Sequence, residues 1–404
     1  MNTFCYTNEV CKYFDALYNK RNIDIFNRYD NLIWQFRKQF NATNCYIASS
    51  SGRVELVGNH TDHNGGKVIG CGITLDIVAV FKPNNSNTVR ITSEGYSIVS
   101  FDVSQDPQIT GGAGLAEGVA TYLKNAGYNV GGFDMITHSI VPSGAGVSSS
   151  AAFEMLVGTI ISNCFNDGAI PTDVLARAGQ YAENKYLNKP CGLLDQGVSG
   201  VGGLVRLNFA NGFEASKIDS NADIRFVLVN TGKSHAGLSH LYASIPQEML
   251  AVAKYFDKQR LIDVDAQQLF DNEQAIRKSL GDRPFLRAKH FMEENAIVEQ
   301  MTTALQTGDT QQVIDLVNKS GDSSMYQLQN CAVDENDTAI PDAIAYARSL
   351  GNVGARVHGG GFAGTILCVV RKADFDSVYS SLVQRYGNQC VLPMAIRNTG
   401  AIVL

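Results

Sequence analysis

The sequence predicts an α+β protein, in which strands and helices occupy largely different parts of the chain. Three observations predict this class. Strand-like runs dominate residues 45–103, helical periodicity dominates residues 237–350, and glycine-rich clusters border apolar strands at 142–152 and 354–364. A chain of 404 residues with 45% hydrophobic residues is long enough for two or three domains with a sizeable core.

The composition argues against several classes of protein. A net charge of −6 and the absence of a Lys/Arg block argue against nucleic acid or an anionic membrane surface as the main partner. Nine scattered cysteines without a C-x-x-C pair indicate free thiols in a reducing compartment, rather than disulfides or a zinc site. No apolar run approaches the ~18 residues of a membrane span, and no signal peptide is recognisable. We therefore expect a cytoplasmic protein.

The N-terminal 41 residues carry two amphipathic patterns, which predict two helices with Phe14, Leu17 and Phe36 on their apolar stripes. Trp34, the one tryptophan of the chain, is interpreted as a packing residue. Four strands are then predicted, at 45–48, 67–81, 88–92 and 97–103. A helix at 115–126 and a further strand at 133–140 follow them.

The first dense polar cluster, at 52–66, places asparagine, histidine and aspartate side chains after a predicted short strand. A metal site at His60 and His63 is one interpretation, although no third ligand lies nearby in the sequence. A solvated turn is another, because the Asn-Gly-Gly sequence at 64–66 is typical of turns. A sugar-binding loop explains the mixture better, since carboxylate and amide groups hold hydroxyl groups in fixed directions.

The stretch 142–152 joins the strand at 133–140 to a helical pattern. It contains two glycines and three consecutive serines. Glycine lets the backbone approach a ligand closely, and the first N–H groups of a helix have no partner within that helix. The stretch is therefore suited to bind a polyphosphate. Simple strand-to-helix connectors share this composition, so the stretch alone leaves both interpretations open.

Asp195 is the most unusual residue of the middle segment. Residues 171–188 predict a helix with Glu183 near its end, and Asp195 follows in a glycine-flanked apolar run at 190–196. Aspartate is seldom buried without a partner. Asp195 therefore either caps the next turn or takes part in chemistry, and its neighbours in sequence do not decide between these roles.

The remainder of the chain begins with two predicted strands around a loose domain boundary and continues mostly as helices. The strands are expected at 204–209 and 225–229, and the helices at 249–256, 275–280, 297–305, 313–317 and 340–350. In the cluster 354–364, His358 precedes three glycines, which indicate close backbone contact with a ligand or another element. His358 is either a phosphate partner or an ordinary loop residue. The last predicted elements are a strand at 365–370, a helix at 373–385 and a strand at 389–396.

In this order, the three clusters resemble the motifs of the GHMP small-molecule kinases, which include galactokinases and homoserine, mevalonate and phosphomevalonate kinases. The first cluster reads Gly-Arg-Val-x-Leu-x-Gly-x-His-Thr-Asp-x-Asn-Gly-Gly, which resembles the signature of the galactokinase branch. The resemblance spans about residues 44–400. It implies a two-lobed GHMP kinase fold, with a left-handed βαβ unit in a ribosomal-S5-like N-terminal lobe and an α/β-sandwich C-terminal lobe. We expect these lobes at 1–210 and 211–404.

The resemblance implies ATP-dependent phosphorylation of D-galactose at its anomeric hydroxyl, with Mg²⁺ as cofactor. It makes Asp195 the general base and Arg53 the residue that stabilises charge on the transferring phosphoryl group. The implied sugar ligands are Asn59, His60, Asp62, Gly192 and Tyr242. The implied ATP ligands are Ser93, Gly144, Ala145, Gly146, Val147, Ser148, Ser149 and Ser150. The implied Mg²⁺ ligands are Ser150 and Glu183.

The sequence departs from the galactokinase pattern at several positions. Most members of that branch have Glu where this chain has Asn59 and Tyr where it has His63, and residues 243–246 replace two arginines that commonly follow the tyrosine. Asn59 therefore leaves open a kinase for a related sugar, such as N-acetylgalactosamine or arabinose. A non-catalytic galactose sensor is the other alternative, although such sensors typically have a damaged serine-alanine run. We expect a monomer with small-molecule partners only, and neither nucleic acid nor membrane.

Overall fold

The computed structural model describes residues 8–18, 23–108, 111–142, 146–187, 191–233, 237–362 and 364–404. Its strands are β1 (Tyr46–Val57), β2 (Lys67–Pro83), β3 (Thr88–Ser93), β4 (Val99–Asp102), β5 (Phe133–Ser139), β6 (Leu204–Asn208), β7 (Glu214–Lys217), β8 (Ile224–Asn230), β9 (Val353–Val357), β10 (Thr365–Arg371), β11 (Val391–Met394) and β12 (Ile402–Val403). Its helices are α1 (Asn8–Tyr18), α2 (Ile23–Phe40), α3 (Leu115–Asn125), α4 (Ser149–Phe165), α5 (Thr172–Tyr186), α6 (Leu194–Val201), α7 (Ser239–Tyr255), α8 (Ala266–Asp271), α9 (Glu273–Leu280), α10 (Asp282–Thr307), α11 (Thr310–Ser323), α12 (Ala339–Ser349) and α13 (Phe375–Tyr386).

A large sheet organises the first half of the chain, with the strand order β12-β1-β2-β5-β3-β4 and with β6 and β7 attached to β2. Its pairs are antiparallel except β3 with β5, which run parallel and are connected through β4 and α3. The register of the β1–β2 pair shifts between Ser51 and Arg53 and again between Glu55 and Val57. Such irregularities redirect side chains and are common beside active sites.

A second, fully antiparallel sheet has the order β11-β8-β10-β9. The main core lies between the large sheet and helices that include α3, α4 and α5, and a separate core packs the second sheet against α12 and α13. This mixed architecture of two sheets with helices confirms the predicted α+β class.

Helix α2 and the segment between β11 and β12 are tied to the large sheet through the buried carboxylate of Asp76. Arg28 Nη1 on α2 lies 2.6 Å from Asp76 Oδ1, and Arg397 Nη1 lies 3.1 Å from Asp76 Oδ2. Burial acts to raise the pKa of Asp76, but the two guanidinium groups together with hydrogen bonds from Ser49 and Tyr18 lower that pKa below its ordinary value. The predicted N-terminal helices are confirmed. The Arg28 ion pair fixes α2 to the sheet, and the Tyr18 hydroxyl of α1 donates to Asp76 Oδ2 at 2.6 Å.

The sequence patterns miss or misplace several features, and α6, α8 and β12 are among the elements that were not predicted. Trp34 was predicted to pack, but its side chain is 61% exposed and Lys38 Nζ lies 4.9 Å from the centre of its ring. Residues 214–217 and 353–357 form strands that were not predicted, because both are short and the second contains a glycine. The helix expected at 297–305 is part of the much longer α10.

The described part of the chain also bears on the state of the cysteines and on membrane-spanning helices. The cysteines whose state the structure defines are free thiols, as predicted. Among the helices of the described residues, none is both long and apolar enough to cross a lipid bilayer.

Candidate active site

The glycine–serine stretch connects β5 to the N-terminus of α4. Ser148 immediately precedes α4 with a φ of +53°, a left-handed conformation that is uncommon for residues other than glycine. Val147 is fully buried, and its carbonyl accepts a hydrogen bond from the backbone N–H of Arg53 at 3.2 Å. The loop is thereby anchored to β1 just before the first turn of a 17-residue helix. Free backbone N–H groups at that turn favour an anion.

Arg53 joins the loop to Asp195, although the two residues are 142 positions apart in the sequence. Arg53 Nε and Nη2 each lie 2.7 Å from Asp195 Oδ1, and Nη1 donates to the carbonyl of Gly146 at 2.6 Å. Ser148 Oγ donates a hydrogen bond to Asp195 Oδ2. Asp195 lies in the first turn of α6, where a carboxylate is favoured by the helix dipole. Its two oxygens therefore face a guanidinium group and the hydroxyl of the loop.

His358, for which two roles were predicted, lies fully buried behind Arg53. Its Nε2 is 3.4 Å from Arg53 Nη1 and must be the acceptor, because a guanidinium group only donates. Burial lowers the pKa of His358 well below its usual range, and the charges of Arg53 and Arg356 add to this effect. His358 is therefore a neutral support for Arg53 and not a cation for phosphate.

Ser150 and Glu183 form a second polar pair at the loop. Ser150 is in the first turn of α4, and its hydroxyl donates to Oε1 of Glu183, a fully buried residue near the end of α5. Mg²⁺ prefers oxygen ligands and commonly takes one or two from the protein, with the rest from substrate phosphates and water. A hydroxyl and a carboxylate beside a helix N-terminus suited to phosphate fit that ion. Among the described residues there is no cluster of three or more His, Cys, Asp or Glu side chains arranged to hold a metal.

The residues predicted to bind sugar come from three segments. His60 has a φ of +58°, and its Nε2 lies 3.0 Å from the carbonyl of Gly360. Burial lowers the pKa of His60 to about 4, with a smaller contribution from His63. Tyr242 on α7 donates its hydroxyl to the carbonyl of Gly361 at 2.9 Å. These contacts attach the loop after β1 and the helix α7 to the third glycine cluster.

Asp62 and Gly192 lie directly against each other. A Cβ atom added to Gly192 would lie 1.7 Å from Asp62 Oδ2. This close approach explains why glycine stands at position 192, because the Asp62 carboxylate occupies the space that any other side chain needs.

We expect Gly192→Ala to raise the KM for the sugar by about 10- to 100-fold, because overpacking of this size costs about 1–3 kcal/mol and displaces Asp62. Steady-state kinetics with varied sugar and saturating ATP measure the effect. Gly112→Ala is the matched control, since no atom lies within 4 Å of the added methyl group and Gly112 does not have a positive φ. An unchanged KM for the sugar in Gly192→Ala would show that Asp62 has no part in sugar binding.

Asn59 is almost fully buried and its amide is engaged by protein groups. Its Nδ2 donates to Glu55 Oε1 and to the carbonyl of Gly359, both at 2.9 Å. Its Oδ1 accepts from Asn330 Nδ2 at 2.9 Å. The backbone carbonyl of Asn59 accepts from His290 Nε2 at 2.9 Å. Asn59 is therefore a junction between the loop after β1 and the C-terminal half of the chain.

His290 gives this junction a pH dependence. Burial lowers the pKa of His290 to about 4, below the ordinary value of 6.5. The unfolded chain therefore binds more protons than the folded protein between these values, and the free energy of unfolding falls as the pH is lowered from about 6.5 towards 4. We expect His290→Gln to flatten this slope by up to about 1.4 kcal/mol per pH unit. Chemical denaturation at pH 7 and pH 5 measures it.

The control for this prediction is His240→Gln, which changes an exposed histidine on α7. It should leave the pH dependence of the unfolding free energy as in the parent protein. Equal slopes in His290→Gln and the parent would show that His290 is not a source of acid sensitivity.

One pocket of about 450 Å³ gathers most of the predicted site residues. Those that line it are Arg53, Asn59, His60, Asp62, Gly146, Ser148, Ser149, Ser150, Gly192, Asp195 and Tyr242. A larger cavity of about 740 Å³ elsewhere, bordered by Lys217 and Lys372, contains none of them. The smaller pocket is therefore the candidate active site, because its lining carries the chemistry.

Five predicted residues stand apart from this lining. Glu183, a predicted Mg²⁺ ligand, is fully buried on α5 behind Ser150 and does not border the pocket. Ser93 ends β3, where its hydroxyl accepts a hydrogen bond from Thr137 Oγ1 at 2.7 Å, and it does not border the pocket. Val147 is buried within the loop. Gly144 and Ala145 lie outside the described residues.

Sequence reasoning missed Glu55, which also lines the pocket. A signal was available, because Glu55 follows Arg53 by two positions in a strand and such residues share one face of the sheet. Its ion-pair partner, Arg356, lies 301 positions away and has no local signal.

Three stretches of the chain match known protein families. Residues 35–83 match the family profile described as galactokinase galactose-binding signature, 114–203 match the GHMP kinases N terminal domain, and 301–389 match the GHMP kinases C terminal domain. Together these stretches span more than half of the chain.

Curated relatives and solved structures extend the similarity. A galactokinase of Limosilactobacillus reuteri is 29% identical over 83% of this chain and 88% of its own length. A galactokinase of Lacticaseibacillus paracasei is 29% identical over 87% of this chain and 92% of its own length. The crystal structure of Lactococcus lactis galactokinase complexed with galactose matches 93% of this chain and 100% of its own, with a TM-score of 0.82 and 24% identity. The crystal structure of Methanococcus jannaschii mevalonate kinase matches 88% of this chain and 99% of its own, with a TM-score of 0.62 and 14% sequence identity.

Proposed function

Because the chain belongs to the galactokinase branch of the GHMP kinases, we propose that it transfers the γ-phosphoryl group of ATP to the anomeric hydroxyl of D-galactose. The products are galactose 1-phosphate and ADP. The observation that carries this proposal is the position of Asp195. Its carboxylate binds Arg53 and the loop residue Ser148, and it lies three residues after Gly192, which packs against Asp62.

In the proposed reaction, Asp195 accepts the proton of the anomeric hydroxyl. The freed oxygen attacks the γ-phosphorus, and the bond from that phosphorus to the bridging oxygen of ADP breaks. Arg53 holds the Asp195 carboxylate in place and presents positive charge to the phosphoryl group, where negative charge is distributed in the transition state. The backbone N–H groups at the start of α4, from Ser148 to Ser150, supply a fixed environment for the phosphates.

Ser150 and Glu183 are the residues that would hold Mg²⁺. The ion supplies charge neutralisation for the phosphate oxygens of ATP. The hydroxyl of Ser150 donates to Glu183, so the two side chains are held together between α4 and α5. Preassembly of this kind avoids reorganisation when the nucleotide binds.

The sugar is held between two groups of residues. Asp62, positioned by Gly192, is placed to accept hydrogen bonds from hydroxyl groups, as is typical of carboxylates in sugar sites. His60 and Tyr242 provide a neutral donor or acceptor and an aromatic surface respectively, and both are fixed to the third glycine cluster. The remaining expectations, namely a monomer, a cytoplasmic location and lobes at 1–210 and 211–404, stay predictions.

An ADP-release assay with purified protein, MgATP and a panel of sugars tests the proposal. The panel contains D-galactose, N-acetylgalactosamine, arabinose and glucose. We expect the highest kcat/KM with D-galactose. A higher value with one of the other sugars would assign the protein to that sugar, and absence of turnover with all of them would indicate a galactose sensor.

A further inference from the structure

Glu55 is a buried carboxylate that borders the candidate active site. It lies on β1, two residues after Arg53, and its side chain is only 4% exposed. Burial raises the pKa of Glu55, while the nearby charges of Arg356 and Arg53 oppose this effect. A carboxylate is seldom retained in such a place unless its oxygens are paired.

Within the described part of the chain, hydrogen bonds reach one side-chain oxygen of Glu55, Oε1. Oε1 accepts hydrogen bonds from Arg356 Nη1 at 3.0 Å and from Asn59 Nδ2 at 2.9 Å. Oε2 accepts no hydrogen bond from the described residues. Glu55 borders the pocket, and a carboxylate oxygen there that loses water to a ligand without gaining a hydrogen-bond donor costs free energy. The position of Oε2 therefore indicates a donor that arrives with the ligand.

The amide nitrogen of Asn59 has no hydrogen left to donate to a ligand. Glu55 Oε1 and the Gly359 carbonyl are both acceptors, so Nδ2 of Asn59 must face them and both of its hydrogens are used. The Oδ1 of Asn59 already accepts from Asn330. This network fixes the orientation of the amide and leaves one lone pair of Oδ1 as the most it can offer a ligand.

We propose that Glu55 binds a hydroxyl group of the sugar, other than the anomeric one, through Oε2, and that Asn59 positions Glu55. Glu55 is thereby a specificity-determining residue that the galactokinase-like pattern does not assign. This inference rests on the proposed function, because it takes the ligand of the pocket to be a hexose. Arg356 and Asn59 hold Glu55 from one side, so that its other oxygen is directed by the protein before the sugar binds.

The competing explanation is that Glu55 serves only as the counter-ion of Arg356. Glu294 provides the matched control, because it is also buried and electrostatically coupled to Arg356. Its Oε2 accepts from Gly58 N at 2.7 Å and from Ser320 Oγ at 3.0 Å. Glu294 does not border the pocket. Glu294→Gln therefore removes a comparable buried charge without removing a pocket oxygen.

The test compares kcat/KM of the parent protein, Glu55→Gln and Glu294→Gln with D-galactose and with the monodeoxygalactoses that lack the hydroxyl group at C2, C3, C4 or C6. With D-galactose, Glu55→Gln should lower kcat/KM by about 10- to 100-fold, as expected for a hydrogen bond to a charged group. With one monodeoxygalactose, the one that lacks the partner hydroxyl, the parent and Glu55→Gln should be closely similar. Glu294→Gln should change kcat/KM by the same factor for every sugar.

Two outcomes would overturn the inference. One is an equal loss in Glu55→Gln for D-galactose and for all the deoxy sugars, which is the pattern of a counter-ion. The other is no loss at all. If Glu55→Gln does not fold, Glu55→Asp keeps the charge beside Arg356 but withdraws the oxygen, and the same selective pattern is expected from it. A parent protein that does not turn over galactose would instead contradict the proposed function, so the two failures are distinguishable.

Discussion

Asp195→Asn is expected to lower kcat by about 10²- to 10⁴-fold, the usual contribution of a general base, while ATP and galactose still bind. Asparagine has the same shape and can keep hydrogen bonds with Ser148 and Arg53, but it cannot accept the proton of the sugar hydroxyl. Pre-steady-state and steady-state ADP release measure kcat, and calorimetric titration measures nucleotide affinity. A kcat close to that of the parent protein would remove Asp195 from the role of base.

The chain contains a matched control for this variant. Asp134 forms a two-pronged pair with Arg90, with distances of 2.6 and 2.8 Å, and neither residue borders the pocket. Asp134→Asn therefore perturbs another Arg–Asp ion pair, between β3 and β5 of the large sheet. It should leave kcat unchanged, which separates the loss of a base from a general effect on stability.

Arg53→Lys is expected to lower kcat by about 10²- to 10³-fold, the loss that follows removal of a donor to developing negative charge. Arg53 donates in three directions, to Asp195, to the carbonyl of Gly146 and towards His358. The ammonium group of lysine is a compact point charge and cannot reproduce this planar arrangement. Kinetics with varied ATP and varied sugar should therefore show a larger effect on kcat than on either KM.

Arg90→Lys is the corresponding control, because Arg90 makes the same kind of contact with Asp134 but is half exposed. An exposed pair contributes little to stability, so this variant should match the parent protein in kcat and thermal unfolding. A kcat for Arg53→Lys that equals that of Arg90→Lys would show that charge alone, without guanidinium geometry, is sufficient.

The elements with strong periodicity were predictable from the sequence, and the short ones were not. The α2 helix and the β10 strand have clear apolar patterns and lie where they were expected. The β9 strand is fully buried on both faces, so its sequence does not alternate, and its glycine made it look like part of the following loop. Trp34 shows that an aromatic residue within an amphipathic helix can still face solvent.

The candidate site was predictable where its motifs are continuous and unpredictable where contacts join distant segments. The clusters around Arg53, Ser148 and Asp195 are visible in the sequence, but the hydrogen bonds among them are not. The pair of Glu55 with Arg356 exists only because β1 and β9 are brought together by the fold. The role of Glu55 could therefore be inferred only from the structure.

The central claim is that this pocket transfers a phosphoryl group from ATP to the anomeric oxygen of galactose. The most direct test is phosphorus and proton NMR of the product formed by the purified protein from MgATP and D-galactose. The account predicts one phosphomonoester whose phosphorus couples to the anomeric proton, with one ADP formed per product. A phosphate on any other carbon, or ADP release without a phosphorylated sugar, would contradict it.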